Sequence, residues 1–504
     1  MTYNSYADLY GPVKTSGGLI RGYQYDGLTI FKNIKYGSAR RFHKPEAASW
    51  EGIRECTSYG FVPPQIDPND IADGFYVPHF FYVENEEECL NLNLWTPSMA
   101  KDAKLPVVFC VYGASFDTGS GAEMQAYDGC KLAKNGNIVY VTSNMRANML
   151  GFFDLSCFGE EYVNSGNNGF EDVLLALKWV RENIATFGGD PDNVTLLGMQ
   201  GGALRIRYIM QCPAFKGYFH KAFLLSGIAD HGHPPKAKLF HQLTKDMLKT
   251  AGYAENDITP LQEMDLHELH QLYKKTRDLT GNRVRWRVSL NGWCYGRMED
   301  EGPCPEMTDI IAVCGNTFTE QNFTPDKFPE GRLDQEAFNK EAQRFGADKE
   351  EIIAEYQRIY PDKDLRDLVF YAADHRKANF DYCDALAKAN MKVYNYQFVP
   401  EFPFNHGTPA FHCADVAYLT MNLELVPNLI IPGYSEKLMK SYSSTLINLA
   451  YYGDPGKDLD VKWEPYTIEK PNTILFDKEN KVMETDDRHF IELMAKHMPE
   501  RKKK

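Results

Sequence analysis

Three places in the sequence hold side chains able to do chemistry in concert. In Gly198-Met199-Gln200-Gly201-Gly202 a carboxamide stands between glycines two before and two after it. Glycines at that spacing permit a sharp turn whose backbone comes close to its neighbours. His412 lies within Ala410-Phe411-His412-Cys413-Ala414-Asp415, and Glu320 follows Gly315 by five residues. An imidazole titrates near neutrality and accepts a proton at pH 7. A carboxylate on its far nitrogen fixes the tautomer and stabilises the protonated ring. Gln200 makes hydrogen bonds but has no proton removable near pH 7, so it forms no acyl-enzyme. Imidazole, carboxylate and carboxamide, with a phenol such as that of Tyr112, are the group types that proton abstraction, dehydration or direct activation of water would use.

Groups so far apart in sequence need a rigid frame. Unbroken apolar runs at 105–112 and 138–143, and again at 194–197 and 222–225, predict strands buried on both faces. Leu90-Asn91-Leu92-Asn93-Leu94-Trp95 alternates with period two and predicts a half-buried strand ending at Pro97. Val173, Leu174, Leu177, Val180 and Ile184 keep helical spacing across 172–187, and Gly188-Gly189-Asp190-Pro191 stops that helix. Further strands are expected at 310–314 and 393–398. Strand and helix in alternation indicate an α/β fold with a large, mostly parallel central sheet flanked by helices. Helical stretches at about 232–300 and 335–390 read as insertions into one domain spanning 1–504, forming a lid or substrate-shaping subdomain.

The composition bounds the partners. The chain has 504 residues, 43% hydrophobic and 25% charged, with a net charge of −14. Phosphate attraction needs clustered cations, so no nucleic-acid or anionic-membrane partner is expected. The only basic run, Arg501-Lys502-Lys503-Lys504, reads as a solvated end. Residues 1–8 have no signal-peptide pattern, and no stretch is apolar enough to span a membrane. Eleven cysteines, an odd number scattered through apolar runs, suggest reduced thiols and a cytoplasmic protein. With no CxxC or paired Cys/His spacing, neither metal nor cofactor is expected.

Several segments resemble the type-B carboxylesterases, the cholinesterase-like family of the α/β-hydrolase fold. They are Glu87-Glu88-Cys89-Leu90-Asn91-Leu92-Asn93, Gly166-Asn167-Asn168-Gly169-Phe170-Glu171-Asp172, the run from Asn183 to Pro191, Phe219-His220-Lys221-Ala222 and Trp463-Glu464-Pro465-Tyr466. The resemblance runs from about residue 12 to 494. It implies a nucleophile, an acid and a histidine in that order, with backbone N–H groups for an oxyanion. It makes His412 the base and Glu320 the acid, although Gln321 replaces the usual following glycine. It places Gln200 where the family has serine. The family's His-Gly-Gly-Gly-Phe oxyanion loop reads Tyr112-Gly113-Ala114-Ser115-Phe116, and Met199 and Gly201 complete the altered pocket. Arg205 and Arg207 occupy turns where the family carries small or neutral residues. Arg41 and Glu87 match a buried scaffold ion pair. Cys89 matches one half of a family disulfide whose other half is missing from Val62-Pro63-Pro64-Gln65.

The departures gather around one pocket while the scaffold motifs persist, which suggests a site rebuilt for another purpose, by evolution or by engineering. Ser115 and Ser226 are poor substitutes for the lost nucleophile. Three readings follow. The chain lacks serine-esterase activity and binds a small, largely apolar ester or acid; it is an enzyme of changed chemistry using the His412–Glu320 pair as general base; or it is a carboxylic ester hydrolase with a variant active site.

Overall fold

The computed structural model describes residues 8–66, 79–80, 82–114, 116–229, 234–320, 332–404, 406–483 and 487–497. Ser115, Gln321 and the basic tail at 501–504 lie outside the described residues. Thirteen strands among the described residues join in one sheet. In chain order they are β1 (Asp8–Lys14), β2 (Leu19–Tyr25), β3 (Leu28–Lys35), β4 (Ile53–Glu55), β5 (Asn91–Thr96), β6 (Leu105–Val111), β7 (Val139–Ser143), β8 (Gly189–Met199), β9 (Lys221–Leu225), β10 (Ile311–Thr317), β11 (Val393–Phe398), β12 (Thr473–Phe476) and β13 (Lys481–Met483).

Their spatial order is β1-β2-β3-β5-β7-β6-β8-β9-β10-β11-β12-β13, with β4 beside β2. From β7 to β12 every neighbour is parallel, and the antiparallel pairs are confined to the two flanks. The apolar runs explain this. β6, β7 and most of β9 are buried along their length, as strands covered by helices on both faces must be. β5 departs from its alternating pattern. All six residues are buried, because Asn91 and Asn93 find partners inside: Asn91 Nδ2 donates to the Phe61 carbonyl at 2.8 Å and Asn93 Nδ2 to Thr142 Oγ1 at 3.0 Å. Period two marked polarity there, not exposure.

The helix predicted over 172–187 is α1 (Asn168–Asn183). It starts earlier than its apolar spacing indicated and ends in a short 3-10 turn, Ile184–Phe187. Gly188 closes the turn at φ 77°, where an added Cβ would stand 2.1 Å from the Ser98 carbonyl oxygen. After β8 comes α2 (Gly201–Ile209). The first insertion contributes α3 (Ala237–Thr250) and α4 (Leu266–Thr280), but 281–297 is irregular rather than helical. The second ends in α5 (Ala373–Lys388), and α6 (Ser435–Tyr452) follows in the C-terminal part.

Two ion pairs, one buried and one half-buried, lock the frame. Arg146 grips Asp172 bidentately, with bonds of 2.7 and 2.9 Å and both side chains almost fully enclosed. Arg41 pairs with Glu86, not with Glu87 as the family resemblance implied. Glu87 is exposed in the same turn, its N–H donating to Asn85 Oδ1 at 2.9 Å, and Glu88 turns to Lys35 and Arg54. Among the described residues no disulfide joins any two cysteines. No described helix is long and apolar enough to cross a membrane.

Candidate functional site

The site lies where parallel strands end. β8 runs into Gln200, β6 into Tyr112, and β10 leads to Glu320, so three strands of the parallel core deliver their groups to one edge of the sheet, where open α/β sheets place ligands. Gln200 forms the corner between β8 and α2. Its backbone takes φ 48° and ψ −113°, a conformation that side-chain-bearing residues rarely adopt and that costs on the order of 1–3 kcal/mol.

The neighbours force that corner. A Cβ on Gly202 would stand 2.0 Å from the Val111 carbonyl oxygen, one on Gly198 2.6 Å from the Gly202 carbonyl carbon, and one on Gly227 2.1 Å from the Gln200 carbonyl oxygen. The Gln200 N–H donates to Leu225 at 2.7 Å, and its carbonyl accepts from the Leu204 N–H at 2.9 Å. The glycine frame and these bonds preserve the turn whatever side chain residue 200 carries.

The carboxamide reaches the loop after β6. The Ala114 N–H donates to Gln200 Oε1 at 2.8 Å. Ala114 itself has φ 60°. The Gly113 N–H donates to Tyr127 Oη at 3.2 Å. Met199 and Gly201, on either side of Gln200, are both buried, and Met199 packs against Gly113. Tyr112 does not offer its phenol to the pocket as the sequence suggested. It is fully buried, and its hydroxyl donates to the Met145 carbonyl at 2.9 Å. Arg207 is likewise taken up inside the fold, paired with Glu299 and donating to the Ile228 carbonyl.

Opposite stands the acid–histidine pair. His412 Nδ1 meets Glu320 Oε2 at 2.6 Å, so Nε2 is the nitrogen through which the ring would act on a ligand. Glu320 Oε1 accepts the Thr317 N–H at 2.8 Å. Burial alone would raise the Glu320 carboxyl, but the hydrogen bond and charge of His412 outweigh it and hold the group below its ordinary value. The two loops are stapled together: the Thr319 N–H and hydroxyl both donate to the Ala410 carbonyl, at 3.0 and 3.1 Å. Non-glycine residues with positive φ gather here, at Ala114, Gln200, Ser226, Glu320 and Cys413, as strained residues do at functional sites.

Two of the next three features, the first and the last, were not singled out from the sequence. Asp415, three residues past His412, is fully buried and accepts from Tyr396 and Tyr442, each at 3.1 Å. Burial first, and then the charge of Glu320, raises its carboxyl to about 7. Ser226 sits beside the Glu320 carboxylate without a well-aligned hydrogen bond of its own. The third is a Ser–His–Asp group away from the elbow. Ser156 Oγ lies 2.6 Å from Asp154 and 3.2 Å from His241 Nε2, but the same Nε2 also faces Asp154 at 3.2 Å. A relay needs the acid on one ring nitrogen and the hydroxyl on the other, so this group is no triad. Among the described residues no cluster of His, Cys, Asp and Glu is arranged to hold a metal ion.

The model of the carboxylesterase family matches residues 11–493. The para-nitrobenzyl esterase of Bacillus subtilis is 29% identical over 499 residues, covering 93% of this chain and 95% of that one. A solved esterase of Clostridium hathewayi, described as hydrolysing aliphatic aromatic polyesters, superposes with a TM-score of 0.92 at 33% identity, covering 98% of this chain and 100% of that one. The Geobacillus stearothermophilus carboxylesterase gives a TM-score of 0.73 at 27% identity, covering 95% and 99% of the two chains. Carboxylic ester hydrolysis is thus the chemistry that relatives carry out on this scaffold.

Proposed function

Because the chain belongs to the carboxylesterase family, we propose that its pocket binds a small, largely apolar ester or acid and does not carry out serine-type acyl transfer. The observation that carries this reading is the 2.8 Å hydrogen bond from the Ala114 N–H to Gln200 Oε1. Residue 200 stands at the elbow without a removable proton, and its own carbonyl oxygen fills the place where a ligand's carbonyl oxygen would be held. The carboxamide is a neutral stand-in for a bound acyl group. A ligand enters by displacing it from Ala114, after which the amide end of Gln200 is free to donate.

The test uses p-nitrophenyl butyrate and a fluorophosphonate probe. Losing the nucleophile of a serine hydrolase costs on the order of 10⁶ in turnover, so no burst and no adduct at residue 200 are expected. Displacement of an environment-sensitive fluorescent fatty acid by short esters and acids should show saturable binding. A burst, or a probe adduct on any serine of the pocket, would reject the reading and leave an ester hydrolase.

One observation favours a second reading. The 2.6 Å His412–Glu320 contact persists although no serine remains at the elbow for it to activate. On this reading the pair works as a general base, taking a proton from water or from a carbon beside a carbonyl held by Gln200 and Ala114. Once a turnover is found, His412→Ala should abolish it while leaving melting nearly unchanged. Full activity in that variant would eliminate the base.

A further inference from the structure

Arg205 lies in α2, five residues past the corner, with its side chain wholly buried beneath the loop that follows β6. Its Nη1 donates to two successive carbonyl oxygens, Tyr112 at 2.7 Å and Gly113 at 2.9 Å. The guanidinium carbon stands 4.5 Å from the Tyr112 ring centroid and 5.3 Å from that of Phe116. Nε and Nη2 have no hydrogen-bond partner among the described residues and are held among these rings. An arginine so enclosed, bonded through one nitrogen only, is costly to bury and calls for a role.

Peptide geometry supplies one. In a trans peptide unit the carbonyl and the following N–H point in opposite directions. Drawing the Tyr112 oxygen down to Arg205 turns the Gly113 N–H away, and it meets Tyr127 Oη. Drawing the Gly113 oxygen down turns the Ala114 N–H away, into the pocket, where it meets Gln200. A positive charge at the carbonyl end also polarises the unit and strengthens the N–H as a donor. Ala114 keeps φ 60° without the freedom of glycine, so something must hold the loop in that shape.

We propose that Arg205 is a positioning residue: from inside the fold it clamps two consecutive carbonyls and so aims the Ala114 N–H at the carbonyl oxygen of whatever the pocket holds. The clamp replaces, in this chain, the shape that consecutive glycines give the loop in the family it resembles. The role of the donor rests on the pocket reading above, but the orientation of the N–H does not, and the two are tested separately.

The first arm is amide hydrogen exchange in the full chain. In Arg205→Met the Ala114 amide should exchange at least about tenfold faster, while amides of β6 and of the α2 interior stay unchanged. Arg205→Gln, a smaller perturbation that keeps the fold if Met does not, should show the same local effect. Ethylguanidinium added to Arg205→Ala should restore protection. The second arm places Arg205→Met on a Gln200→Ser background, where the rate on p-nitrophenyl acetate should fall about 10²-fold with KM within a few fold, the pattern for loss of an oxyanion donor. Parent-like exchange at Ala114 in a folded variant would overturn the proposal. So would faster exchange spread evenly over the sheet, since that marks a merely structural arginine. If Gln200→Ser has no turnover, the pocket reading is weakened and the exchange arm still decides the clamp.

Discussion

The two sides of the pocket are held by different means. On the side of β6 and β8 the groups that matter are backbone: an N–H at Ala114 and a corner at Gln200, fixed by glycines whose added Cβ atoms would strike neighbouring backbone. On the side of β10 and β11 they are side chains: an imidazole and a carboxylate aligned to 2.6 Å, with the Thr319–Ala410 staple behind them. The departures from the family's motifs read in the sequence at 112, 114, 199, 200 and 201 all fall on the first side. The second carries Glu320 and His412, the two residues that match those motifs, although Gln321 departs from them. A feature held by backbone geometry tolerates changes of side chain that a side-chain device does not, so the two sides should answer mutation differently.

The sharpest way to break this contrast is to attack the frame. Gly202→Val drives a side chain into the Val111 carbonyl, and a buried clash with backbone belongs among the rare losses above about 4 kcal/mol. Soluble yield and circular dichroism should show a protein that does not fold; melting within a few degrees of the parent would mean the frame yields. The reverse change comes next. If the setting is intact, Gln200→Ser restores a nucleophile beside a ready donor and histidine. The variant should then be labelled at residue 200 by a fluorophosphonate and hydrolyse p-nitrophenyl esters on the order of 10²-fold faster than the parent. Absence of labelling in a folded Gln200→Ser would show that the corner is shaped but not aligned.

Smaller effects separate the sides further. Asp415 is held at about 7 against an ordinary 3.8, so the folded protein keeps a proton that the unfolded chain releases. Its contribution to stability is fully present below about pH 4 and is lost as pH rises through about 7, a span on the order of 4 kcal/mol. Asp415→Asn should flatten the fall in melting temperature between about pH 4 and 7; an unchanged profile would assign that fall elsewhere. The smallest change expected is from Ala114→Gly. It relieves a positive φ and loosens the unfolded chain, two effects of order 1 kcal/mol and opposite sign. Denaturant midpoints should therefore shift little, and a loss above about 2 kcal/mol would show that the methyl group itself packs the loop.

The sequence carried the sheet, the elbow and the order of the site residues, because apolar runs, glycine spacing and family motifs are all local signals. It misplaced what depends on direction. Tyr112 looked available and is turned inward to Met145, and Glu87 looked paired where Glu86 is the partner. Asn91 and Asn93 looked exposed and are satisfied inside. Nor did spacing show that Arg205 reaches two carbonyls some ninety residues upstream. In each case the deciding fact is a hydrogen bond across the fold.

The strand order also bears on how the chain assembles. The elbow, the loop it faces and the arginine beneath that loop lie on β6, β8 and α2, all within residues 105–209, whereas Glu320 and His412 arrive only with β10 and the loop after β11. Chains emerge from the ribosome N-terminus first. The backbone-held side of the pocket therefore comes within reach of its partners before the side-chain-held side has been synthesised. The later loops must close over long sequence separations, which places them among the slow, entropy-limited steps of folding. The half of the site held by backbone is the half that emerges first.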